Sequence, residues 1–101
     1  MPEQQPLQAK QPKQEESQAS KLKKVESYAA HLMNEAISKE KAGRTGDATA
    51  DYLQAADLLL LLAKGQQGYS AWKAYTDRAV SCQQRARALI AARKQSDAEA
   101  V

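Results

Sequence analysis

Apolar residues recur at spacings of three and four along three stretches of the chain, and short glycine-bearing breaks part them. Leu22, Val25, Ala29, Leu32 and Ala36 form the first stripe, and Ala48, Tyr52, Ala55, Leu59 and Leu62 form the second. Trp72, Tyr75, Ala79, Cys82, Ala86 and Leu89 form the third. This spacing follows the turn of a helix with one apolar face, so the pattern predicts three amphipathic helices sharing one core. Alanine recurs in every stripe, and small side chains let helix axes approach closely. The predicted fold class is therefore all-α, an antiparallel three-helix bundle.

Punctuation residues set the expected ends. Ser20 offers a cap and Gly43 a stop, which predicts a first helix over about 21–43. The break GRTGD is short enough to force an antiparallel hairpin. Asp47 suits the positive end of a helix and Lys64 its negative end, with Gly65 following, so the second helix is expected over about 47–64. Ser70 offers a cap for a third helix over about 70–93. Gly43, Gly46, Gly65 and Gly68 all fall at these breaks, where they read as turn residues and not as a phosphate-binding loop. Residues 1–20 are rich in Gln, carry Pro2, Pro6 and Pro12, and lack the apolar side chains that offset ordering entropy. They read as a disordered tail, and residues 94–101 as a disordered tail or linker.

The chain's 101 residues leave room for one domain, close to the lower limit at which a single core sustains a fold. A single cysteine excludes an internal disulfide, and its place in the third stripe suits a buried thiol in a reducing, cytoplasmic setting. The first residues contain no apolar targeting segment. The longest apolar run, 55–63, is broken by Asp57 and far shorter than the roughly 20 residues that span a bilayer. No direct membrane insertion is expected. Net charge is −1 over residues 1–20, +5 over 21–93 and −1 over 94–101, which makes the overall +3 a property of the folded part. Lys and Arg are interleaved there with Glu and Asp, so nucleic acid is not an expected partner.

Candidate chemistry is sparse. His31 is the only histidine and lies off the first stripe, so it lacks the companions a metal site needs. Cys82 has no histidine placed to activate it. The reading is of a non-enzyme with no cofactor and no metal.

Residue identity along the helices carries more. Ala29, Leu32, Ala36, Glu40, Lys41 and Ala42 lead into the first break; Ala48, Tyr52 and Ala55 follow it; Arg85, Ala86 and Leu89 lie near the end of the third stripe. In spacing and type they resemble the microtubule-interacting and trafficking (MIT) domain over nearly all of residues 22–93. A tetratricopeptide array shares the alanine-rich hairpin but needs further repeats to bury its faces. The resemblance implies a non-catalytic module that binds C-terminal tail motifs of ESCRT-III-type proteins. It also implies recruitment of an attached effector, such as an AAA ATPase, to endosomal or division-site membranes. An isolated domain of this kind is expected to be monomeric.

Such domains use two grooves. Between helices 2 and 3, which take an amphipathic helix, the residues at issue are Leu53, Leu60, Val80, Gln83, Gln84 and Arg87. Family members often carry acidic residues where Gln83, Gln84 and Arg87 stand, and Arg87 would repel an arginine-bearing ligand. Leu53 and Leu60 either widen the contact with a neighbouring helix or floor a groove. Between helices 1 and 3, which take an extended proline-containing strand, Ala30, Met33 and Ile37 offer apolar contacts and Arg78 and Arg85 offer cations. That second set is the expected primary site. Two alternatives remain: a self-associating helical adaptor that buries the extra leucines, and a weak nucleic-acid-binding bundle.

Overall fold

The ends of the helices follow from backbone hydrogen bonding more than from side-chain caps. A computed structural model of the chain describes residues 18–100, with side chains over 20–95. Among the described residues there are three helices, α1 (Gln18–Lys41), α2 (Thr45–Lys64) and α3 (Tyr69–Ala100). The tail expected over 1–20 falls outside the described residues, except that Gln18 onward is already helical and Ser20 lies inside α1.

α1 stops where Gly43 adopts φ +83°, the left-handed conformation that only glycine takes freely. The Gly43 N–H donates to the Glu40 carbonyl at 3.1 Å and the Arg44 N–H reaches back to the Lys39 carbonyl at 2.8 Å. This pairing satisfies carbonyls that the helix end leaves open, and it is the Schellman arrangement. α2 begins at Thr45, earlier than expected, with the Ala48 N–H donating to the Arg44 carbonyl at 3.0 Å. Asp47 is consequently a first-turn residue, where it pairs with Arg44 at 2.6 Å. α3 likewise starts ahead of Ser70: the Gly68 carbonyl accepts the first helical bond from Trp72 at 3.0 Å. Past Arg93 the chain carries no Gly or Pro and is rich in alanine, so α3 continues to Ala100 where a disordered segment from 94 was expected.

Packing follows the stripes. Ala29, Leu32 and Ala36 of α1, Ala48, Tyr52, Ala55, Leu59 and Leu62 of α2, and Ala79, Cys82, Ala86 and Leu89 of α3 are buried together. α2 also buries Ala56 and Ala63, because it lies between the other two helices and contacts both. Trp72 departs from its stripe: it is exposed, with the Tyr69 ring 5.8 Å away. The helix pairs are thus in place, and function falls to what lies along their seams.

Candidate functional site

Polar cross-links bridge the seam between α1 and α3. Glu26, Ala30, Met33, Ile37 and Glu40 succeed one another at helical spacing on α1 and so share one side of it. From α3, Arg78 Nη1 lies 3.7 Å from Glu26 Oε2. Arg85 Nε donates to Glu40 Oε1 at 3.1 Å, and its Nη2 pairs with Glu40 Oε2. Tyr52 Oη also donates to Glu40 Oε1, at 3.0 Å, so one carboxylate joins all three helices. The Arg78 guanidinium lies 6.0 Å from the centre of the Tyr75 ring. Burial pushes the Tyr75 phenol up, with Glu26 adding to the shift. The structure therefore brings Ala30, Met33, Ile37, Arg78 and Arg85 to one seam, but both arginines are already engaged by glutamates of α1. Ala30 and Ile37 are exposed and Met33 is half-buried against the core.

The side of α1 that meets α2 carries polar cross-links as well. Lys39 Nζ donates to Asp51 Oδ2 at 2.7 Å, and this hydrogen bond raises the lysine above its ordinary value. Nearby, Gln54 Nε2 lies 3.4 Å from Tyr28 Oη.

The outer seam between α2 and α3 is different. Thr49, Leu53, Ala56 and Leu60 form a second row on α2, beside its buried stripe, and Thr76, Val80, Gln83, Arg87, Ile90 and Lys94 form one on α3. Their shared space is visible at one end, where Thr45, Gly46, Thr49, Leu89, Ile90, Arg93 and Lys94 line an open pocket of about 370 Å³. Among the described residues no hydrogen bond or ion pair joins α2 to α3. Large apolar side chains stay exposed along the seam: Leu53 at 41%, Val80 at 41%, Ile90 at 39% and Trp72 at 43%. Leu60 and Gln83 are half-buried, while Gln84 and Arg87 are exposed at the outer edge. The sequence reading named Leu53, Leu60, Val80, Gln83, Gln84 and Arg87 here but missed Trp72, Ile90 and Lys94. The signal was present, as a second three-and-four spacing rotated away from the core stripe.

Other candidates resolve simply. His31 is exposed, and no group of His, Cys, Asp and Glu among the described residues is arranged to hold a metal ion. Cys82 is a free buried thiol, and burial pushes its pKa up, which opposes thiolate formation. No described helix is long and apolar enough to cross a membrane.

Comparison with known proteins returns no match: no family model fits the chain, and neither a curated protein nor a solved structure matches it.

Proposed function

We propose that this chain is a non-catalytic peptide-binding module of the MIT type, one that recognises C-terminal tail motifs of ESCRT-III-type proteins. In this reading it recruits an attached effector, such as an AAA ATPase, to membranes being remodelled or divided. The observation that supports it best is the α2/α3 seam: of the three seams in the bundle it alone lacks polar cross-links among the described residues, and it keeps Leu53, Val80, Ile90 and Trp72 exposed at intervals along its length. A partner helix laid there would bury apolar area that the monomer leaves in water, at about 25 cal/mol per Å² before the losses of association. At the α1/α3 seam Ala30 and Ile37 are exposed as well, but a ligand there competes with Glu26 and Glu40 for Arg78 and Arg85.

An amide chemical-shift titration of the full labelled chain tests this reading. One arm uses a helical ESCRT-III tail peptide and the other an extended, proline-containing one. Shifts at Leu53, Leu60, Val80 and Arg87 with the helical peptide are the expected result. Shifts at Met33, Ile37, Arg78 and Arg85 with the extended peptide would move the site to the α1/α3 seam and keep the function. If neither peptide shifts any resonance at millimolar concentration, peptide recognition is wrong. Sedimentation then decides whether the exposed leucine and valine pair in a dimer instead.

A further inference from the structure

Charge along the open seam is not balanced. Lys64 borders it at the end nearer the second loop, and Arg87, Arg93 and Lys94 border it toward the pocket. All four are exposed, and none has an ion-pair partner among the described residues. Elsewhere on the surface the cations divide: Lys39, Arg44, Lys73, Arg78 and Arg85 each hold a carboxylate, whereas Lys21, Lys23 and Lys41 form no ion pair among the described residues but are scattered along α1 and do not border an apolar strip on two helices. On the same border Asp57 is the opposing charge, and Asp77 is held by Lys73 at 2.7 Å. The seam is thus an apolar strip, about 15 Å long from Val80 to Ile90 at 1.5 Å per residue, with a surplus of unpaired cations beside it.

We propose that the α2/α3 groove selects an acidic amphipathic helix of a partner protein. The helix seats an apolar stripe on Leu53, Leu60, Val80 and Ile90 and presents carboxylates to Arg87, Arg93 and Lys94. This rests on the peptide-binding reading above and adds the sign of the ligand. An arginine-bearing helix would place like charges against Arg87 as the rim desolvates, whereas a carboxylate gains a charge-assisted hydrogen bond in the same place. Phosphate-backbone recognition would use the cations but leave the exposed apolar strip in water, which is why the charge pattern favours a protein helix. Selectivity comes from the rim and affinity from the strip, the usual division of labour at an interface.

The probe is a designed leucine-striped helix about five turns long with glutamates flanking the stripe. Its control carries the same leucines with lysines in place of the glutamates. Both are titrated against the full chain at low salt and read by Trp72 fluorescence and amide shifts. The acidic helix is expected to bind roughly tenfold or more tightly than the control, with an advantage that shrinks as salt rises. In the Arg87→Glu, Lys94→Glu double variant the preference should disappear or reverse, with helical circular dichroism unchanged because both side chains are exposed. Equal affinity for the two probes overturns charge selection and leaves peptide binding standing. A preference that survives the double variant overturns the assignment to this rim. Binding of neither probe removes the inference and the assignment of a partner helix to this groove, and the peptide-binding reading then falls too unless the extended peptide shifts the α1/α3 residues.

Discussion

Two glycines that the sequence treats alike do different work at residue scale. Gly43 ends α1 at φ +83°, where a side chain would have to adopt the left-handed conformation. Gly65 ends α2 at φ −81°, ψ −4°, within the range of any residue. A Cβ on Gly65 would meet Leu22 at ordinary contact distance, 3.8 Å. Gly43→Ala is therefore expected to destabilise the fold by about 1–2 kcal/mol. Gly65→Ala is expected to be neutral or to stabilise it by up to about 1 kcal/mol, since it restricts the unfolded chain. Urea unfolding of the two variants checks the pair, and equal effects would contradict the difference in backbone geometry.

Titration gives a second residue-scale test. Burial holds Tyr52, Tyr75 and Cys82 above their ordinary values, and hydrogen bonding to Asp51 holds Lys39 above its own. For each group the folded state keeps its proton to a higher pH than the unfolded chain does. Their contribution is therefore fully present below the unfolded values, the lowest being the thiol's 9.0, and is lost as pH rises through the folded ones. Thermal unfolding at successive pH values is expected to show Tm falling above about pH 9, in step with these linked protons. A Tm that holds constant to pH 11 would mean that these groups are no more protected in the fold than in the open chain.

At the scale of elements, the five leucines Leu58–Leu62 show how one helix divides its labour. Leu59 and Leu62 are buried, Leu58 and Leu60 are half-buried, and Leu61 is 56% exposed. Leu59→Ala should cost about 2–5 kcal/mol, because small alanines around it cannot close the cavity without shifting helices. Leu61→Ala should change stability by no more than about 0.5 kcal/mol. Chemical denaturation of both proteins gives the comparison directly, and a large loss for Leu61→Ala would mean that its face is covered in solution. The same periodicity that made three helices legible also explains an error at their ends. Caps were assigned to Ser20 and Ser70 from residue type, yet both lie inside helices that begin earlier, whereas Asp47, read as an acid suited to the positive end of a helix, does lie in the first turn of α2. Side-chain preference is a weak bias that continuing backbone hydrogen bonds override.

Across the whole molecule, three seams arise from three helices, and they differ in polar content: side-chain bonds and ion pairs link α1 to α2 and to α3, and among the described residues none links α2 to α3. The candidate residues were nearly all named from helical spacing alone, because a second apolar row on α2 and α3 is visible in the chain. Their ranking was not legible. Arg78 and Arg85 looked available for a ligand until Glu26 and Glu40 were found opposite them on α1. Arg87 looked like a defect of the other groove until Lys64, Arg93 and Lys94 joined it on the same border. Stability follows a similar logic: a core built largely of alanines brings axes close but buries little area per residue, so the fold relies on Leu59, Leu62 and Tyr52.

The order of apolar and small residues thus determined the class of fold, the number of helices and most of the core, since each depends on periodicity within about twenty neighbouring residues. The tertiary structure alone decided that Trp72 lies outside the core and which cations are paired across a seam. Those facts depend on which helix faces which, and on contacts between residues far apart in the chain, such as the 45 positions that separate Glu40 from Arg85.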